Sequence, residues 1–160
     1  VKRRGAGAGF TLVELLVTVV IVGLLASIAA PMAELTIQRG KEKELRENLR
    51  EIRAALDAYK QAVDEGRVNA DKMASGYPPT LQTLVDGVID LRSPLKDRRL
   101  YFLRRLPRDP FAETGVPAEA SWGKRSYSSP PDFPAEGEDV FDVFSLSPQT
   151  GLNGIPYRQW

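Results

Sequence analysis

An α+β fold, in which one long N-terminal helix packs on a small antiparallel β-sheet head, is what three features of the sequence predict. Residues 10–30 are apolar apart from Glu14 and a few small or hydroxyl side chains. Leu45, Leu49, Ile52, Leu56, Tyr59 and Val63 recur at spacings of 4, 3, 4, 3 and 4, the stripe of an amphipathic helix. Residues 122–127, WGKRSY, and 139–146, DVFDVFSL, alternate like half-buried strands. A striped helix and a one-faced sheet bury their apolar sides against each other, the two-layer solution of this class.

Composition narrows the function. A length of 160 residues with 42% hydrophobic and 27% charged residues leaves room for one modest folded domain. The formal charge is +1 and the only basic run is the short KRR at residues 2–4, so no nucleic acid partner is expected. Without cysteine there is no disulfide framework. Without histidine the commonest general base and nitrogen metal ligand are missing. Asp132, Glu136, Glu138 and Asp139 sit in a Pro- and Gly-rich loop without a catalytic motif and are expected to face solvent. No enzyme is expected.

The first element is residues 10–30, whose 21 residues make roughly 30 Å of helix, enough to cross a bilayer. Lys2, Arg3 and Arg4 precede it, and no cationic cluster follows until Arg39 and Lys41. The positive-inside rule therefore keeps the N-terminus cytoplasmic and sends the rest of the chain across the membrane. A conventional signal peptide, cut near the small residues Ser27, Ala29 and Ala30, would yield a secreted soluble protein instead. Against it, the apolar run exceeds the usual 7 to 15 residues, and neither a signal peptide nor a plain anchor accounts for Glu14.

Gly9 followed by FTLVEL, with Glu14 four residues beyond Phe10, resembles the cleavage and assembly motif of type IV prepilins and of the pseudopilins of type II secretion. The resemblance implies that a prepilin peptidase removes residues 1–9 by cutting between Gly9 and Phe10, and that the new Phe10 amine is N-methylated. Gly9 lets the protease approach the backbone closely. Glu14 then has a physical reason. A charge in lipid needs a partner, and the Phe10 amine of a neighbouring copy supplies one, so assembly relieves a penalty that the lone subunit bears.

Pro31 removes one backbone bond and is expected to kink the helix, and Gly40 is a second weak point. Glu42 with Arg46, and Glu47 with Arg50, are expected as exposed pairs along its continuation. Gly66 ends the helix, which spans about residues 10–65. SGYPPTLQTLV then reads as a loop and a short helix from Thr80 to about Val85. In YFLRRLPRDPF, residues 101–111, the prolines force an extended connection. These two stretches resemble the tyrosine–proline and leucine–proline–x–aspartate–proline landmarks of the major pseudopilin, the G subunit. Arg98, Arg99, Arg104, Arg105 and Arg108 form either a patch for an acidic neighbour or a solvated face pairing with acids of the same or an adjacent subunit. In the strand pair, Phe141 and Val143 are expected on one side, with Val140, Asp142 and Phe144 on the other.

In the resembled G subunits, a loop after the second strand binds calcium. Calcium takes six to eight oxygens, several from carboxylates, and between Ser145 and Trp160 there is no Asp or Glu. No calcium or other cofactor is therefore expected, and Leu152, Ile155, Tyr157 and Trp160 are expected to hold the loop by packing on the sheet. The domain plan is a leader at 1–9, a transmembrane and filament-core helix at 10–30, its amphipathic continuation at 31–65 and a head at 66–160. The resemblance implies a homo-oligomeric helical filament of a type II secretion pseudopilus, joined by other pseudopilins and an inner-membrane secretion platform. The subunit would sit in inner-membrane lipid with its head in the periplasm. A type IV pilin serving adhesion, motility or DNA uptake is the alternative.

Overall fold

The computed structural model describes residues 10–69, 75–95 and 97–160. Gly9 and the basic leader residues lie outside them. The chain forms two compact units, Val1–Gly40 and Lys41–Trp160.

One helix, α1 (Leu12–Asp64), supplies nearly all of the described part of the first unit and the spine of the second. It continues through Pro31 and Gly40, and the boundary between the units falls directly after Gly40. Its end follows from Gly66, whose φ of 66° is open to a residue without a side chain. The Gly66 N–H donates to the Val63 carbonyl and the Arg67 N–H to that of Ala62, the paired bonds of a Schellman cap.

In the second unit the predicted stripe is the core. Leu45, Leu49, Ile52, Leu56 and Tyr59 are buried, joined by Ala55 and Ala62, with Val63 partly covered. They meet Leu81, Leu84, Leu103, Trp122, Val140, Val143 and Tyr157 from the rest of the head. Each large aliphatic side chain buried in this way contributes about 1.5–3 kcal/mol.

The short helix α2 (Gln82–Asp86) follows the Tyr77–Pro78 turn, with Leu81 and Leu84 fully buried. The Leu84 carbonyl accepts the N–H groups of both Phe102 and Leu103, which fixes the extended 101–111 segment beside it. Between them, β1 (Val88–Ile89) and β2 (Arg99–Leu100) form an antiparallel ladder. Two-residue strands are too short for alternation to reveal, so the sequence showed no sign of this hairpin.

The expected strand pair forms as β3 (Trp122–Arg125) and β4 (Asp142–Ser145), antiparallel, with Gly123 opposite Phe144. A Cβ at Gly123 would lie 2.2 Å from the Phe144 ring, so a side chain there would have to displace that ring. Among its described residues the head therefore carries two separate two-stranded ladders instead of one sheet. Val140 and Val143 are both buried, contrary to strict alternation, because Val140 precedes the strand and donates its N–H to the Pro78 carbonyl.

Two expected surface features differ. Glu42 is buried, with Arg46 3.9 Å away, and Glu47 pairs with Lys43 at 3.7 Å where Arg50 was expected. Asp139 is buried as well, accepting hydrogen bonds from the Ser126 hydroxyl at 2.6 Å and the Tyr127 N–H at 2.9 Å.

Candidate functional site

The start of α1 is built by Thr11 and Glu14. Thr11 precedes the first helical residue, and its hydroxyl accepts the Glu14 N–H at 3.2 Å. It is an N-cap that satisfies one of the donors a helix start leaves open. The T-x-x-E spacing is that of a capping box, a local signal in the sequence for this helix start. Glu14 is also the one acid in the first turn, where the helix dipole favours negative charge.

Phe10 is 82% exposed, and the apolar side chains of residues 12–25 are exposed on every side of the helix. The segment is long and apolar enough to cross a membrane. Its hydroxyls need no water. Thr18 donates to the Leu15 carbonyl at 2.8 Å and Ser27 to that of Gly23 at 2.9 Å, which is how hydroxyl groups are satisfied inside a lipid-facing helix. Among the described residues the Glu14 carboxylate has no hydrogen-bond or ion-pair partner, and it stands one turn from Phe10. An all-round apolar helix bearing one unpartnered carboxylate is suited to associating with other apolar helices that bring a cation. Gly9, the other predicted processing residue, lies outside the described residues, and Pro31 lies within α1.

In the head, three side chains of α1 hold the C-terminal segment. Glu42 Oε1 accepts the Leu152 N–H at 2.7 Å and the Tyr157 hydroxyl at 3.0 Å. The Arg46 guanidinium lies 4.2 Å from the centre of the Trp160 ring. Arg53 donates to Asp142 Oδ1 at 2.8 Å and to the carbonyls of Val143 and Trp160. Tyr157 is fully buried and stacks on Phe111 with ring centres 4.1 Å apart, while Trp160 meets it edge-on. Tyr157 and Trp160 are thus anchors as expected, whereas Leu152 and Ile155 remain 43% and 44% exposed. Leu152 contributes through its backbone.

The C-terminal segment itself carries no Asp or Glu, so an ion such as calcium would have to draw its carboxylates from elsewhere in the head. Glu42, which reaches Leu152 and Tyr157 of that segment, already accepts two hydrogen bonds, Asp109 reaches Ser145, and Arg46, Arg53 and Arg158 are nearby charges. Among the described residues no three acidic side chains are grouped to hold a metal ion.

A second carboxylate organises the neighbouring part of the head, next to the Phe111 ring that stacks on Tyr157. Asp109, of the leucine–proline–x–aspartate–proline stretch, is 1% exposed. Its Oδ2 accepts the Ser145 hydroxyl at 2.6 Å and its Oδ1 the Phe111 N–H at 2.8 Å, while its own N–H donates to Ser121 Oγ. One side chain therefore ties the turn after Pro107 to the last residue of β4.

Two further carboxylates couple the fold to pH. The hydrogen bond from Arg67 holds Asp90 below the usual carboxylate range against some burial. Burial alone would raise Asp139, but hydrogen bonds from Ser126, Ser75 and the Tyr127 N–H together hold it lower. A carboxyl whose pKa is lower folded than unfolded adds stability that is complete above the unfolded value and disappears as pH falls through the folded one. The thermal midpoint of the detergent-solubilised chain should therefore stay level from pH 7 to about 5 and fall below about pH 4. D139N should make that fall shallower; an equal slope in the variant would remove Asp139 from the explanation.

Comparison with known proteins bears on both units. Residues 6–30 match the family model described as the prokaryotic N-terminal methylation motif. The chain is 33% identical over 113 residues to the type II secretion system core protein G of Klebsiella michiganensis, a match covering 68% of this chain and 71% of that protein. It is 30% identical over 148 residues to the core protein G of Pseudomonas aeruginosa, covering 90% and 85%. For the Vibrio cholerae core protein G the identity is 31% over 150 residues, covering 91% and 83%. No solved structure matches the chain.

Proposed function

The chain belongs to the type II secretion system core protein G family, and on that footing we propose how its residues serve a pseudopilin. It is a subunit of the type II secretion pseudopilus, anchored in the inner membrane by its N-terminal apolar helix, processed as a prepilin and assembled with other pseudopilins. Its relatives are structural proteins, and this chain is read as a substrate of the processing peptidase that performs no catalysis itself.

In this reading the peptidase cuts between Gly9 and Phe10 and methylates the Phe10 amine on the cytoplasmic side. Residues 10–30 then rest in lipid as a reservoir form, with the head in the periplasm. On assembly, the Glu14 carboxylate of one copy meets the Phe10 amine of a neighbour, and both charges leave lipid as a pair. Residues 31–65 link that buried bundle to the head at 66–160, and Pro31 lets the helix bend as it moves from bilayer to filament. The secretion platform in the inner membrane delivers each copy. The observation that carries the reading is Glu14, a carboxylate without a partner among the described residues, on a helix whose hydroxyls at Thr18 and Ser27 are satisfied internally. Deleting the gene tests it: release of secreted proteins should stop while twitching persists. Lost twitching with normal release would favour a surface pilus.

The head is read as metal-independent, with Glu42, Arg46 and Arg53 doing the work of holding the C-terminal segment. Its thermal midpoint should be the same in excess calcium and in excess chelator. A rise of several degrees with calcium, the mass-action signature of an ion bound only by the folded state, would contradict this.

A further inference from the structure

On one flank of α1 lies a groove of about 600 Å³ with an apolar floor that includes Ala54, Ala58 and Leu103. Arg104 and Arg105 form its rim and Glu51 also lines it. Both arginines are exposed, and among the described residues neither has an ion-pair partner, nor does either of their neighbours Arg98 and Arg99. Among the described residues, the Arg99 guanidinium donates to the carbonyls of Asp86 and Gly87, while the charges of Arg104 and Arg105 are not paired with an acid.

The complementary surface is the 130–138 loop. It is acidic, with Asp132, Glu136 and Glu138 all exposed, and Lys124 reaches only Glu136, at 3.9 Å. It presents Phe133 at 80% exposure. This ring is held out by a braced backbone: the Ser129 hydroxyl donates to the Phe133 carbonyl and accepts the Ala135 N–H, and Ser126 donates its N–H to the Ala135 carbonyl. A pre-organised loop offering an aromatic ring among the exposed acids Asp132, Glu136 and Glu138, with Arg53, Arg125 and Arg158 lining the same cavity as the ring, has the form of a docking element, because little ordering entropy remains to be lost on binding.

The two surfaces cannot meet within one head. Phe133 and Arg53 line the same cavity. At 3.6 residues per turn, the Arg46, Leu49, Arg50 and Arg53 flank of α1 is centred about 110° around the helix from the Ala54 and Ala58 flank. Two different patches that complement each other across such an angle make a heterologous contact, which propagates instead of closing on itself.

We infer that neighbouring heads bind head to tail, the acidic 130–138 loop of one copy placing Phe133 in the Ala54–Ala58 groove of the next, between Arg104 and Arg105. Opposite charges around an apolar anchor fix the register and speed encounter. The inference rests on the filament reading above and adds the contact between heads.

The chain has no cysteine, so paired thiols can be introduced cleanly in the full-length protein assembled in cells with its secretion machinery. A58C combined with D132C, which leaves Phe133 in place, should convert most filament subunits into a ladder of covalent trimers and longer species on mild oxidation. E113C with D132C, at positions likewise exposed, should not. Filaments without a ladder, or the same ladder from both pairs, would overturn the contact while leaving the filament reading intact. Absence of filaments from the unaltered chain would overturn the filament reading and this contact with it. Independently, R104E with R105E should reduce filament yield about tenfold, and D132R with E138R added to it should restore most of the loss. No restoration counts against the charge pairing.

Discussion

E14A should still be cut after Gly9 yet yield filaments at about one hundredth of the normal level, with the processed subunit accumulating in the membrane. Removing Glu14 does not touch the cleavage site, and a helix that loses one acid from its first turn loses about 0.3–1 kcal/mol at most. Assembly is affected far more. In the bilayer the Glu14 carboxylate costs on the order of 2.5–3.5 kcal/mol, and pairing with the amine of a neighbouring Phe10 relieves it. Without the carboxylate the lone subunit is easier to keep in lipid, while in the filament the neighbour's amine is left without a partner. Losing about 2.7 kcal/mol per contact is a factor of roughly a hundred. E14Q keeps the shape without the charge and should behave like E14A, whereas E14D keeps the charge on a shorter arm and should fall between. Equal filament yield from E14Q and the unaltered chain, with processed subunit as the denominator, would remove the charge from the account.

D109A should lower the thermal midpoint of the head by about 10 °C or more, an effect larger than that of other single changes on the polar framework. Asp109 is buried and answers two donors, the Ser145 hydroxyl and the Phe111 N–H, while its backbone is held by Ser121. Orphaning buried donors costs about 1–3 kcal/mol each. A domain of this size loses on the order of 3–6 °C per kcal/mol and has only about 5–15 kcal/mol in total. D109N retains one acceptor oxygen and should show an intermediate loss. A midpoint within a degree or two of the parent for D109A would mean that the 107–111 turn is held by Trp122, whose indole N–H donates to the Pro107 carbonyl, and by packing alone.

How much of this the sequence revealed follows from which interactions are periodic. The α1 stripe, its cap at Gly66 and the β3–β4 pair were legible because burial on one face repeats every three to four residues or every second residue. Residues 10–14 were legible because a charge in an apolar run is costly and therefore conspicuous. The β1–β2 ladder was not, since two residues define no period. Glu42 and Asp139 read as surface charges, yet they are buried because hydrogen-bond donors distant in sequence, such as the Leu152 N–H and the Ser126 hydroxyl, converge on them. Asp109 could be singled out only by resemblance, and its role became visible once β4 brought Ser145 against it. The Thr11 cap is legible in the sequence, because the T-x-x-E pattern is local and has a mechanism.

The same distinction applies to the arginine patch. Spacing alone could not decide between a solvated face and a binding face for Arg98, Arg99, Arg104 and Arg105. The fold supplies what was missing, an apolar groove under two of them and a braced acidic loop on the other flank of the helix.

Mass spectrometry of the N-terminal peptide of the protein isolated from its native cells is the measurement to make first. The account predicts a peptide that begins at Phe10 and carries one extra methyl group, which would put a methylated amine one helical turn from Glu14 in every copy. A terminus at Ala30 or Pro31 would contradict it, because Glu14 would then be discarded with a signal peptide and the head alone would remain to act.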